Sequence, residues 1–347
     1  MLARRTILRR LSMVAAAAAV AGASVSAHAA NVTLRYSNWL PGHHPLLKGA
    51  FIPWFAEIEK VTNGRVKVET LPKVVGSVPK QFDVARDGLA DITFVINGYT
   101  AGRLKAYELL ELPFLGDSAE ALAVAGWRIH QKYLAKLGEY KGTVPMAIFT
   151  HGPGCLLVRG SPINSIADFK GKKIRVASAA QVPIIEALGA VPVQRPVTKV
   201  YEVLSTGVVD GSFLSREAIK NFNIGRAVNQ ALVVPGGFYN LSMSLVIGER
   251  AWRKISKADQ AAIMKISGEA LGRKIGSLFP PMDEAGLQDV VKNGGTVTPA
   301  NTAFVNDLRK AFKSADEAWY AKAKQAGLKD PASVLAEFRA TVAREQK

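Results

Sequence analysis

Ser161–Ala179, SPINSIADFKGKKIRVASA, is the stretch on which the reading of this chain turns. Ser165 caps a short helix over Ile166–Lys170, and Lys172–Ala177 follows as a strand carrying Arg175. An arginine midway along an otherwise apolar strand (Ile174, Val176, Ala177) is costly if buried without a partner. Its guanidinium is a planar fork of donors that matches a carboxylate in two-pronged fashion. Directed into a cleft, that fork suits an organic acid. On spacing alone, a surface arginine or a structural ion pair is an equal reading.

Outward from this stretch, strands and helices alternate, which predicts an α/β fold with largely parallel sheets. Strands are expected at Val32–Trp39, Arg65–Thr70, Ala90–Ile96 and Val144–Thr150, the last ending in HGPG (His151–Gly154). Between them lie helices at Pro45–Thr62, Pro79–Gly88 and Ala119–Leu137. After Gly154 the pattern restarts with strands at Leu156–Arg159, Lys172–Ala177, Pro192–Arg195 and Val209–Leu214. A further apolar strand is expected at Ser242–Ile247. From Lys257 the chain reads as almost all helix: one long helix to about Val291, another over Thr302–Gln325, and a last one from Ala332. Two α/β units in succession are the plan of a two-lobed clamp. Residues 30–153 would form the first lobe, completed by about 241–280. Residues 154–240 would form the second, completed by about 281–347. Ligands in open α/β sheets sit beyond the carboxyl ends of strands, so the site falls in the cleft.

The start of the chain reads as an address. Arg4, Arg5, Arg9 and Arg10 precede an Ala/Val-rich run, and Ala27-His28-Ala29 supplies small residues for cleavage. Residues 1–29 are therefore expected to be a cleaved signal peptide. RRTILR (Arg4–Arg9) also resembles a twin-arginine signal, but the apolar run fits either route and Sec export is the preferred reading. The expected product is a periplasmic protein that is not itself transmembrane. The formal charge of the 347 residues is +17, and about +13 without the four leader arginines. Scattered lysines and arginines, with no nucleic-acid motif, argue against nucleic acid and for small anions. Cys155 is the single cysteine, so neither an internal disulfide nor a cysteine metal cluster can form.

Strand ends nominate the pocket. The first unit offers Trp39 with His44, then Asn97 and Tyr99, then His151. The second offers Arg175 with Ser178, then Phe213 and Glu217, and the return crossing adds Phe238 and Tyr239. Aromatic walls with a few polar groups describe a small-molecule site, although Trp39, Phe213 and Phe238, each taken singly, read first as ordinary core residues. His43, His44 and His151 lack metal-ligand spacing, and no cofactor is implied. No GxSxG elbow, GxGxxG or phosphate loop is present, and Cys155 with His151 is not a catalytic dyad. Glu108 and Glu111 read as a solvated carboxylate pair.

The order of YSNWLPGHHPL, TNGRVKVETLP, DVARDGLADITF, ELLELPFLG, SIADFKGKKIRV and VYEVLSTGVVDG resembles the solute-binding proteins of tripartite ATP-independent periplasmic (TRAP) transporters, over nearly all of the chain after the leader. The resemblance implies a periplasmic-binding-protein clamp of type II-like form, with a long helix crossing both lobes and a helical C-terminal region. It implies closure around an organic acid and delivery to membrane permease subunits driven by an ion gradient. Arg175 matches the arginine that grips the substrate carboxylate. Sialic-acid-binding members carry a second arginine where Cys155 stands and an asparagine where Leu214 stands; Arg159 lies four residues beyond the former. These departures favour an aromatic or branched monocarboxylate, or a 2-oxo or 2-hydroxy acid, over a sugar acid. A receptor for an ATP-driven importer or a sensor would use the same physics. An exported enzyme acting on organic acids is the reading from a different class.

Overall fold

A computed structural model describes residues 31–100 and 102–346; the expected signal peptide, residues 1–29, lies outside the described residues. In chain order the strands are β1 (Val32–Ser37), β2 (Val66–Thr70), β3 (Ile92–Ile96), β4 (Thr143–Phe149), β5 (Cys155–Val158), β6 (Lys173–Val176), β7 (Val191–Gln194), β8 (Gly211–Leu214), β9 (Gln230–Val233), β10 (Met243–Gly248) and β11 (Thr296–Pro299). They form two sheets, one in the order β2-β1-β3-β10-β4 and the other β11-β9-β5-β8-β6-β7.

The sheets are mixed rather than largely parallel. β1 runs parallel to β2 and β3, but β10 lies antiparallel between β3 and β4. In the second sheet β5 is antiparallel to both β8 and β9, while β6 is parallel to β7 and β8. The cause is the path of the chain. It leaves the first sheet after β4, enters the second at β5, and returns after β9 to insert β10. Strands reached by such crossings need no βαβ connection and so need not run parallel. β3, ITFVI, is buried along its whole length, with helix Gln81–Arg86 packed on it.

The two crossings lie side by side. Gly154 donates its N–H to Tyr239 O at 3.0 Å, and Phe238 N–H donates to Gly154 O at 3.0 Å. A Cβ at Gly154 would sit 2.5 Å from the Tyr239 ring, so this contact requires glycine.

The helical run expected as a single element from Lys257 is instead three segments, Lys257–Lys265, Gly268–Gly276 and Phe279–Lys292. At Gly268 the backbone is left-handed (φ +60°) against Trp127, where a Cβ would lie 2.5 Å from the indole. Pro280 and Pro281 lack the N–H groups that would continue the preceding helix, so they open a new one. Between them the segments still reach both halves. Gly268–Gly276 packs on helix Ala119–Ile129 and β4, and Phe279–Lys292 packs on helix Arg216–Asn221, β9 and β11.

Thr302–Gln325 is likewise divided, at Phe312. The C-terminal helices are shared between the halves: Thr302–Ala311 lies on the turn Ile166–Phe169 of the second. Helix Pro331–Glu345 lies on Ala119–Ile129, and helix Lys313–Gln325 lies on the turn Ala106–Glu111 of the first half. There Trp319 Nε1 donates to Ala106 O at 3.1 Å, and Lys322 pairs with Glu108 at 2.6 Å.

Candidate functional site

Between the two sheets lies a cavity of about 490 Å³. Elements of the first sheet supply Trp39, Leu40, His44, Leu46, Phe94, Ile96, Tyr99, His151, Leu241 and Met243. The second half supplies Arg175, Ala177, Val197, Leu214, Ser215, Glu217, Ala218 and Phe222, and the return crossing supplies Tyr239.

Arg175 is 1% exposed. The capping box at Ser165 and Asp168 turns the chain into β6, whose pairing with β7 and β8 aims the side chain inward. Nε and Nη2 donate to Arg195 O at 2.8 and 2.6 Å, and Nη1 donates to Phe213 O at 2.9 Å. A guanidinium has five N–H groups, so one N–H remains on each terminal nitrogen. No acidic side chain among the described residues pairs with it. The buried cation is held by main-chain carbonyls and lies within reach of the Tyr99 hydroxyl.

Tyr99 stands beside it. Its hydroxyl oxygen accepts Val197 N–H at 2.8 Å, and among the described residues nothing accepts its own proton. Burial raises the Tyr99 pKa, with the Arg175 charge opposing the shift, so the phenol is a donor at neutral pH.

The walls are aromatic. Trp39 stacks on Phe94 (5.0 Å, 5°), which stacks in turn on Phe149 (5.8 Å, 13°). Trp39 Nε1 donates to Phe94 O at 2.8 Å, which fixes the indole as a flat panel. Tyr239 lies face to face on Phe213 (5.1 Å, 9°) and meets the edge of His151 (5.2 Å, 75°).

The other charged group of the cavity is already satisfied. Glu217 accepts from Ser215 Oγ at 3.0 Å and Asn221 Nδ2 at 2.9 Å, and lies 3.3 Å from His44 Nε2. His44 Nδ1 accepts Leu46 N–H at 3.2 Å, so Nε2 carries the proton given to Glu217. Burial works to raise the Glu217 carboxyl, but these hydrogen bonds outweigh it and hold the group below the ordinary carboxylate range. Asp283 behind it is pushed up to about 7 by burial and by the Glu217 charge.

Seven of the eleven residues nominated from the sequence line the cavity: Trp39, His44, Tyr99, His151, Arg175, Glu217 and Tyr239. The other four do not. Phe213 and Phe238 form a second layer under Tyr239, in contact with each other at 5.5 Å. Asn97 is turned inward, donating to Tyr140 and Ser242 hydroxyls and accepting from Ser244. With Ser178 it lines a separate, smaller cavity of about 300 Å³. Strand ends give position but not direction, and these side chains face the other way.

Glu111 corrects another expectation. It is 1% exposed rather than solvated, and its carboxylate accepts the Ser178 hydroxyl and, at 3.3 Å, Ser242 N–H. Burial drives its pKa up to about 8. Arg159 is exposed at the far end of β5 beside Gly207, so it does not replace an arginine at Cys155. Cys155 is buried with Sγ 3.4 Å from Leu214 O.

The largest omission from the sequence reading is Phe94. Its strand, ITFVI, is buried at every position, so no alternation marks one face as cavity-lining.

Among the described residues, no helix is long and apolar enough to cross a membrane. Residues 36–323 match the model of the bacterial extracellular solute-binding protein family 7. The chain is 28% identical over 317 residues to the outer membrane transporter protein TsaT of Comamonas testosteroni, spanning 90% of this chain and 92% of that one. It is similar to a TRAP periplasmic solute-binding protein from Bordetella bronchiseptica with bound (R)- and (S)-mandelate. That likeness has 35% identity and a TM-score of 0.86 over 90% of this chain and 99% of the other. A TRAP solute-binding protein from Rhodoferax ferrireducens, in complex with copurified benzoate, is 26% identical with a TM-score of 0.84 over 91% and 98%. With most of its length inside the family model and its two-sheet architecture shared, the chain belongs to extracellular solute-binding protein family 7, the solute-binding proteins of TRAP transporters.

Proposed function

We propose that this protein captures an aromatic monocarboxylate between its two halves and delivers it to the membrane permease of a TRAP transporter. The observation that carries the reading is Arg175, a buried guanidinium with no acidic partner among the described residues, whose terminal nitrogens each keep an N–H beyond those given to main-chain carbonyls, beside Tyr99 and facing an apolar cavity. A carboxylate supplies the missing charge in the geometry those donors present. The Tyr99 proton adds a third donor on the same side. The stacked Trp39 and Phe94 panel suits a flat ring, as do the mandelate and benzoate held by the two similar structures.

The energetics require both ends. A hydrogen-bonded charge contributes roughly 1.5 to 3 kcal/mol, and burying a phenyl ring about 2 to 3 kcal/mol. A micromolar complex needs about 8 kcal/mol. Neither contact suffices alone, so the solute must touch both halves and thereby favour their closure. Three polar contacts cross between the halves around the cavity: His44 to Glu217, Val197 N–H to Tyr99, and Ser178 to Glu111. The bonded crossings at Gly154 and Phe238–Tyr239 are the hinge in this account. Residues up to 153 with about 241–280 move as one lobe, joined by the last two C-terminal helices. Residues 154–240 move as the other, with the helix Phe279–Lys292 and β11.

The family is one of solute-binding proteins rather than enzymes, and the site is read as one of capture and release. The protein works in the periplasm in this account, exported by residues 1–29. A thermal-shift screen of the purified protein tests the ligand class, because a ligand bound by the native state raises Tm by mass action. Benzoate and mandelate are expected to raise Tm. A rise with succinate or glucuronate and none with the aromatic acids would refute the assignment.

A further inference from the structure

His151 is a second polar group that the cavity leaves without a partner. It is 2% exposed, lines the cavity, and its Nε2 is buried with no hydrogen bond to any described residue. Its other ring nitrogen, Nδ1, faces the carbonyl of Gly152. A carbonyl can only accept, so Nδ1 carries the proton and Nε2 presents a bare lone pair. Asn240 supports the same main chain, its amide nitrogen donating to Gly152 O at 2.9 Å and His151 O at 3.1 Å when the amide is set to satisfy both. Burial lowers the His151 pKa to about 4, so the ring is neutral in any near-neutral compartment.

The cavity therefore has a polarity beyond its anion site. Arg175 and Tyr99 offer donors. Trp39 Nε1 is spent on Phe94 O, and the Glu217 carboxylate is occupied by His44, Ser215 and Asn221. His151 Nε2 is the acceptor left over. An aliphatic or plain phenyl group placed against it would leave a buried acceptor unmade, which is costly. A hydroxyl on the ligand would satisfy it.

We infer that the preferred solute is a hydroxy-substituted aromatic acid whose hydroxyl donates to His151 Nε2 while its carboxylate meets Arg175. This rests on the reading under Proposed function and narrows its substrate class. The hydroxyl could sit on the ring or on the carbon next to the carboxylate, and the experiment separates the two.

Calorimetry of the full protein would compare benzoate with 3-hydroxybenzoate and 4-hydroxybenzoate, and phenylacetate with mandelate. Each preferred hydroxy acid would also be set against its methyl ether. In at least one series the hydroxyl is expected to tighten Kd about tenfold, equivalent to about 1.4 kcal/mol. The methyl ether, which has no proton to give, is expected to lose that gain. In His151→Phe the ratio between parent and hydroxy acid should fall to about one, whatever happens to the absolute affinities. Nitrogen-15 NMR of the wild type should show the Nε2 resonance, and not Nδ1, shifting on addition of the hydroxy acid, so the test survives a poorly folded variant. A preference that persists in the methyl ether or in His151→Phe overturns the inference. Parent acids that bind with no hydroxyl preference overturn it while leaving the aromatic-acid reading intact. If no aromatic acid binds, both fall together.

Discussion

Gly98→Ala separates closure from folding. Gly98 follows β3 in the first half, and a Cβ placed there would lie 2.4 Å from Ser178 Cβ and 2.9 Å from Glu111 Oε1. Its φ is not left-handed, so alanine is admissible on backbone grounds. Carbon atoms in contact ordinarily sit about 3.5 to 4.0 Å apart. The two halves would have to part locally by more than about 1 Å, and overpacking of this kind costs roughly 1 to 3 kcal/mol. The Glu111 Oε1 contact lies within the first half and is met by a shift of that side-chain end, but Ser178 belongs to the second half, so the larger clash falls on the closed arrangement and is relieved on opening. Calorimetry with benzoate should then show Kd weakened roughly 5- to 150-fold, while Tm of the unliganded variant stays close to that of the wild type. Adding Ser178→Gly removes the clashing carbon and should restore most of the affinity, a strongly non-additive double-mutant cycle. Unchanged affinity in Gly98→Ala, or an unliganded Tm that drops in step with the lost affinity, would refute the idea that this contact forms on closure.

Two further outcomes follow from buried titratable groups. Burial raises Glu111 from its ordinary 4.5 to about 8, so between those values the folded protein holds a proton that the unfolded chain has released. Its stabilising effect is therefore complete below about pH 4.5 and is lost as pH rises through 8. It should contribute a slope of up to about 1.4 kcal/mol per pH unit in urea titrations near pH 6 to 7. Glu111→Gln should flatten the curve by that amount, and an unaltered slope would remove Glu111 from the account. Cys155, whose thiol burial pushes up to about 12, should resist thiol reagents in the native protein and react only on unfolding. Stoichiometric labelling under native conditions would contradict its burial.

The parts of this molecule that follow local chemistry are legible in its sequence. Ser165 announces a capped turn, and a lone arginine among Ile174, Val176 and Ala177 announces a demand for hydrogen-bond acceptors, whatever the global fold. Gly268 and Pro280 also signal helix breaks, within a run otherwise rich in helix-forming residues. What the sequence hides is direction and long-range placement. Asn97 and Ser178 sit at strand ends but turn away from the cavity. Phe213 stands one layer behind Tyr239. Glu111 reads as solvated until Ser178, far along the chain, closes over it. Short strands such as Gln230–Val233 and Thr296–Pro299 carry too few residues for a periodic signal, and they acquire meaning only by pairing with each other. The antiparallel insertion of β10 depends on two chain crossings, which no local pattern records.

The central claim is that Arg175 holds the carboxylate of the solute, and it is met most directly by calorimetric titration of benzoate into the wild type and Arg175→Ala, with circular dichroism confirming the fold of both. The account predicts that the variant binds at least about tenfold more weakly, a loss of 1.4 kcal/mol or more. Equal affinity in a folded Arg175→Ala protein would contradict it.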